Sequence, residues 1–219
     1  MRWEILRIFS ESIAPINPEI NTVAIVGGSA EEPELIHLSG KEISFLGIES
    51  GAIDNFTHFN LNIASIHEKQ FDLVVCSQVL EHVYDVKVAL ENLVNLVKPG
   101  GYLWVACPAS NYAQGSPDYF SAGYSHQLIT QLLESKGIQI ILAENYGSPR
   151  MYFFTHGIQY WPTRKEYEFP LFLKPSRYFF QQLFWRACAY TKSPKFNSNL
   201  HSATETIVFA RKTDFVRAP

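Results

Sequence analysis

Four short apolar runs in the first half of the chain constrain its fold more than any other feature. Thr22–Val26 (TVAIV), Ile43–Glu49 (ISFLGIE), Phe71–Cys76 (FDLVVC) and Tyr102–Cys107 (YLWVAC) are rich in β-branched and aromatic residues and show no polar alternation. A strand apolar on both sides belongs in a parallel sheet covered by helices on both faces.

Helical patterns lie between and after these runs. Val86, Ala89, Leu90, Leu93, Val94 and Val97 recur at spacings of three and four, which is one apolar stripe on a helix. Asp85 is placed to cap its start and Pro99-Gly100-Gly101 to stop it. A second helix is expected from Ser125 to Lys136, with Leu128, Ile129, Leu132 and Leu133 on its apolar face and Gly137 in the left-handed position after it. Ile138–Ala143 (IQIILA) and Glu205–Ala210 (ETIVFA) read as further strands. Strand–helix–strand alternation requires crossover connections, which are right-handed almost without exception. The expected architecture is a doubly wound, mostly parallel α/β sheet whose ligand sits beyond the carboxyl ends of the strands.

Composition narrows the function classes. The 219 residues are 47% hydrophobic, enough for a real core, and the net charge of −3 leaves no chain-wide basic field for nucleic acid. Cys76, Cys107 and Cys188 are odd in number and far apart, so neither a disulfide framework nor a zinc site is read from them. His37, His58, His67, His156 and His201 form no metal spacing. Charges interrupt the first residues, Met-Arg-Trp-Glu-Ile-Leu-Arg, and no apolar run nears the roughly 18 residues of a membrane span. The expectation is a reduced, cytoplasmic protein.

The strand tips carry the candidate chemistry. The first run ends in Gly27-Gly28-Ser29-Ala30, and Glu31-Glu32-Pro33 is read as opening a helix. Glycines let a backbone approach a ligand, and a helix start offers free N–H groups. Glu49 ends the second run, 22 residues after Gly27, where a carboxylate can take the hydroxyls of a ribose. These features by themselves are compatible with a nucleoside-containing cofactor, although tight strand–helix turns also use glycine for purely structural reasons. A nicotinamide oxidoreductase is disfavoured because the loop is not Gly-x-Gly-x-x-Gly.

The succession FDLVVCSQVLEHV over residues 71–83, then the helix, then Lys98-Pro99-Gly100-Gly101 and Tyr102–Pro108, resembles the fourth strand, next helix, turn and fifth strand of class I S-adenosylmethionine-dependent methyltransferases. The resemblance spans about residues 21–148 and 204–212. It implies a seven-stranded Rossmann-like sheet whose last strand, Glu205–Ala210, is antiparallel, and S-adenosyl-L-methionine as cofactor. It implies that Gly27, Gly28 and Ser29 pass beneath the methionine part and that Glu49 holds the ribose. Asn60 and Leu61 would lie beside the adenine, Ser77, Gln78 and Val79 would line the cofactor, and His82 would face the substrate side. The chain departs from the family pattern at Ile25, where an acid is usual, and at Ser29, Glu31 and Asn60. A second reading is therefore a binding or scaffold protein that keeps the fold without the cofactor.

Methyl transfer asks the protein for alignment and exclusion of water, with a general base when the nucleophile is a hydroxyl. His82 and His126 are the candidate bases. Tyr119, Phe120 and Tyr124 follow the fifth strand on the substrate side; ordinary loop packing is the alternative for them. The expected reaction is methylation, O-methylation first, of a small-molecule, saccharide- or lipid-linked acceptor.

Residues 149–203 break the α/β pattern. They hold eight basic and two acidic side chains, a local charge of +6, and 14 of the 31 aromatic residues lie between Pro149 and Tyr190. The chain is read as a single domain, 1–219, with this segment inserted before the last strand. Phe179, Phe180, Leu183, Phe184, Ala187 and Cys188 form one helical face. Three uses suit that face: packing on the sheet or in a homodimer, a lid over the acceptor, or peripheral membrane contact through 174–190.

Overall fold

The computed structural model describes residues 2–48, 54–65, 67–110, 118–147 and 203–213. The insertion read at 149–203, with its helical face, lies outside the described residues except for Ala203; so does Glu49.

Seven strands form one sheet in the order β3-β2-β1-β4-β5-β7-β6. They are β1 (Thr22–Val26), β2 (Glu42–Gly47), β3 (Phe56–His58), β4 (Phe71–Ser77), β5 (Val97–Pro108), β6 (Ile138–Tyr146) and β7 (Glu205–Lys212). The first five pair in parallel, and β7 enters antiparallel between β5 and β6. This is the doubly wound, Rossmann-like sheet expected from the sequence, with its antiparallel last strand. Strand order reverses at β1 and β4, which is where a ligand is expected over the carboxyl ends.

Each face of the sheet has its own core. On one, Val74, Cys76, Leu103 and Val105 pack against Leu90, Leu93 and Val94 of helix α2 (Val86–Leu96) and Ile129 and Leu133 of helix α3 (His126–Glu134). On the other, Val23, Ile25, Val75 and Trp104 pack against Ile5, Ile8, Phe9 and Ile13. These last four belong to helix α1 (Arg2–Ile13), an element the strand-led reading does not contain. Its signal is the spacing of those four apolar residues, all on one helical face.

The helix starts follow the expected chemistry, but α2 ends at Leu96: Val97 and Pro99-Gly100-Gly101, read as the end of the stripe and its stop, already belong to β5. Asp85 caps α2, its carboxylate accepting from the N–H groups of Lys87 and Val88. Ser125 caps α3 through Leu128 N–H, and Gly137 follows at φ +75°. Leu128 departs from expectation: it is exposed, and Ile129 and Leu133 alone are fully buried in α3. The helix expected after Glu31 is only a 3-10 turn, Pro33–His37, with no side-chain cap. Gly28 and Pro33 leave too few helix-forming residues before Gly40 for a longer element. The second strand ends at Gly47, two residues before Glu49.

Asp72 has the structural role its place suggests. Its carboxylate accepts from Asn21 and Thr22 N–H and from Thr22 Oγ1, and Lys98 Nζ reaches it at 2.8 Å. This network joins the amino ends of β1, β4 and β5, opposite the site.

Candidate functional site

The loops leaving β1, β4 and β5, together with the start of β7, meet at the carboxyl edge of the sheet. At the tip of β1, Gly27 has φ +72° and its N–H donates to Leu46 O. A Cβ on Gly27 would lie 2.6 Å from Val79 Cγ2, and one on Gly28 would lie 2.7 Å from Glu32 Cγ and from Ile25 Cγ2. The two glycines are thus demanded by close packing within the chain as well as by the turn. Ser29 is exposed, and its hydroxyl accepts from Glu31 N–H.

Beyond β3 the chain turns on itself. Asn60 accepts from Asn62 N–H, and the buried Leu61 gives its carbonyl to Asn92 of α2. Asn62 in turn accepts from Tyr84 N–H, tying this loop to the one after β4.

At the tip of β4, three consecutive residues point to three different partners. Ser77 Oγ donates to Glu34 Oε1 at 2.7 Å. Gln78 takes a left-handed backbone, φ +57°, and its amide donates to Glu205 Oε2 at 2.8 Å. Val79 covers Gly27. The Gln78 amide is therefore engaged with the start of β7.

Three buried carboxyls gather at this edge: Glu34, Glu81 and Glu205. Burial pushes the Glu205 carboxyl up to about 8 against the opposing pull of the Gln78 bond, so it is largely protonated at neutral pH. Burial raises Glu81 as well. One oxygen of Glu34 and one of Glu81 are buried with no hydrogen-bond partner.

The loop after β5 docks on the loop after β4. Phe120 and Ser121 donate their N–H groups to Glu81 O, and His82 Nδ1 lies 2.6 Å from Asp118 O. A carbonyl only accepts, so Nδ1 carries a proton and Nε2 is the ring nitrogen left to act as an acceptor. Tyr119 packs edge-on against His82, and Phe120 packs edge-on against Tyr84. Tyr124 donates its N–H to Pro108 O, and burial raises its hydroxyl. His126 opens α3; its N–H donates to Asn145 Oδ1, and its Nδ1 is buried with no hydrogen-bond partner. His82 and His126 lie on separate elements, and His82 is the one whose tautomer is set.

Cys76 and Cys107 are fully buried with thiols raised by burial, which fits core packing. Among the described residues no cluster of His, Cys, Asp and Glu is fit to hold a metal, and no helix is long and apolar enough to cross a membrane.

Sequence reasoning did not single out Glu34, Glu205 or Asp118. Glu205 had a signal, an acid heading an otherwise apolar strand. Glu34 had none, because one acid in a short turn is indistinguishable from a surface residue.

Residues 40–103 match the family model described as "Methyltransferase domain". No curated protein matches the chain. Among solved structures, the StiE O-MT fragment superposes with a TM-score of 0.60 at 13% identity, covering 99% of this chain and 76% of its own. N-methyltransferase NodS from Bradyrhizobium japonicum WM9, in complex with S-adenosyl-l-homocysteine, gives 0.51 at 12% identity, covering 94% and 86%. The [4+2]-cyclase SpnF gives 0.51 at 16% identity, covering 92% and 80%. The fold is that of class I S-adenosylmethionine-dependent methyltransferases, and the family match falls on β2 to β5, the stretch that carries most of the strand-tip residues.

The residues present fit a cationic cofactor. S-adenosylmethionine bears a sulfonium and an ammonium, and this edge of the sheet holds two buried carboxylate oxygens without donors. The carboxylate expected at the ribose, Glu49, lies outside the described residues.

Proposed function

We propose that the chain is an S-adenosylmethionine-dependent methyltransferase acting on a hydroxyl of a small-molecule, saccharide- or lipid-linked acceptor. The observation that carries this reading is the set tautomer of His82, on the β4 loop of a methyltransferase fold, with Nε2 left as an acceptor. When bound, the cofactor supplies an already activated methyl group.

The chain's own residues would do the rest. Gly27, Gly28, Ser29, Ser77 and Val79 would frame the cofactor, with Asn60 and Leu61 beyond the tip of β3. Tyr119, Phe120 and Tyr124 would bound the acceptor and exclude water. His82 Nε2 would take the hydroxyl proton as the oxygen is methylated, while Asp118 O holds Nδ1–H and stabilises the imidazolium that forms. The basic, aromatic segment 149–203 suits an acceptor with an anionic or lipid part.

The test has two stages. Calorimetric titration of the full chain with S-adenosylhomocysteine, with NAD as control, is expected to give saturable binding of the first alone. His82→Asn should then keep that affinity and lose turnover on hydroxyl acceptors by about 10²–10⁴-fold. A second reading, a binding or scaffold protein, is favoured by the Val79 and Glu32 side chains packed over the glycine turn. Absence of any heat with S-adenosylhomocysteine would establish it over the first. Fold alone does not choose, since the same architecture serves a cyclase.

A further inference from the structure

Glu34 is buried, at 3% exposure, in the 3-10 turn that follows the glycine pair. Its Oε1 accepts from Ser77 Oγ at 2.7 Å. Its Oε2 is equally buried and has no hydrogen-bond partner, and no cation pairs with it among the described residues. A carboxylate oxygen removed from water and left without a donor is costly, and packing alone gives no reason to keep it.

Its place in the fold suggests what the oxygen is for. Ser77 is the last residue of β4, and Cys76 pairs with Val26, so Ser77 falls beside Gly27 where β1 ends. Glu34 therefore sits at the junction of β1 and β4, the point where strand order reverses. The last residues of β1, Ile25 and Val26, are buried and apolar, so the strand itself brings no acid to this junction. A ligand that fits must bring N–H donors and positive charge to Oε2.

We propose that Glu34, oriented by Ser77, binds the α-ammonium group of the cofactor's amino-acid end. The proposal rests on the reading of the chain as an S-adenosylmethionine-binding protein. It makes Glu34 a specificity residue: it distinguishes a nucleoside that carries an amino acid from one that does not. Glu32, which covers Gly28 and is only half-buried, is not equivalent, since it faces water and the turn itself.

The test is a set of calorimetric titrations on the full chain, wild type, Glu34→Gln and Ser77→Ala, with two probes. S-adenosylhomocysteine has the amino-acid end; 5′-methylthioadenosine lacks it. Glu34→Gln keeps an acceptor for Ser77 and removes the charge, so the fold is expected to hold, with a melting temperature no lower than wild type. Its affinity for S-adenosylhomocysteine should fall about ten- to hundredfold while that for 5′-methylthioadenosine stays within about twofold. Ser77→Ala should show a smaller loss confined to the same probe. Unchanged S-adenosylhomocysteine affinity in Glu34→Gln overturns the proposal, and so does an equal loss on both probes, which marks Glu34 as support for the fold. If wild type binds neither probe, the cofactor reading itself fails and the proposal falls with it; silent wild type distinguishes that case.

Discussion

Gln78 and Glu205 are 127 residues apart in the chain and share a hydrogen bond of 2.8 Å that fastens the end of β4 to the start of β7. Gln78 reaches Glu205 only by holding a backbone, φ +57°, that costs a side-chain-bearing residue about 1 kcal/mol or more. Gln78→Ala keeps the strained backbone and leaves Glu205 without its amide donor, so it should destabilise the protein by about 1–3 kcal/mol. Gln78→Gly loses the same bond but relieves the strain, and should be more stable than Gln78→Ala by about 1 kcal/mol. Chemical denaturation of the two variants and wild type measures both differences.

Glu205 makes stability depend on pH. Burial is the main cause of its rise from 4.5 to about 8. Between those values the native state holds a proton that the unfolded chain has released, so stability falls as pH rises and levels off above about 8. Glu205→Gln keeps an acceptor for Gln78 and has no charge to bury. Its melting temperature should match wild type at pH 5 and exceed it by several degrees at pH 8.5, a gap that opens across the intervening range. A gap of constant size over that range would refute the assignment.

Gly27 and Val79 are coupled by contact. A methyl group on Gly27 meets Val79 Cγ2 at 2.6 Å and also faces a φ of +72°. Gly27→Ala should cost about 2–4 kcal/mol from the two effects together. Val79→Ala in the same chain should restore the part due to the clash and leave the part due to the backbone, so the double-mutant cycle should show a coupling of about 1–2 kcal/mol.

Asp72 governs the acid limb. Burial alone would raise its carboxyl, but the bonds from Lys98, Thr22 and Asn21 outweigh it and hold it at about 2 instead of 3.8. The native state therefore binds fewer protons than the unfolded chain between those values, and the stabilisation is present above about pH 4 and lost as pH falls through 2. Asp72→Asn should lower stability at pH 7 by about 2 kcal/mol and flatten the fall between pH 4 and 2, as followed by circular dichroism.

The centre of the sheet was legible because β1, β4 and β5 are apolar on both sides, whereas the three-residue edge strand β3 is half-buried or exposed and has no apolar run to announce it. Helix α2 was legible for a related reason: its stripe and its Asp85 cap agree, although the stripe's last residue, Val97, and the glycine pair expected to stop the helix belong to β5. The site was legible only where its residues adjoin a strand in sequence, as Gly27, Ser77 and His82 do. Glu34 and Glu205 come to the site through tertiary packing, from a turn and from a strand that starts 127 residues after Gln78. Helix α1 went unread because strand-led reasoning starts at residue 21 and leaves Ile5, Ile8, Phe9 and Ile13 without an element.

The place of β7 sets the order in which the molecule can be made. Among the described residues β6 has no strand beside it except β7, and β5 has β7 along one whole edge. A growing chain presents β5 and β6 long before residues 205–212 leave the ribosome. Until then it carries two open apolar edges and must hold them apart from each other and from neighbouring chains. Docking of β7 joins both edges at once. Completion of the sheet thus waits on its last strand, and a cut that removes 205–212 would leave β6 without its strand partner, tied to the sheet only through the packing of α3 on α2 and the shared core.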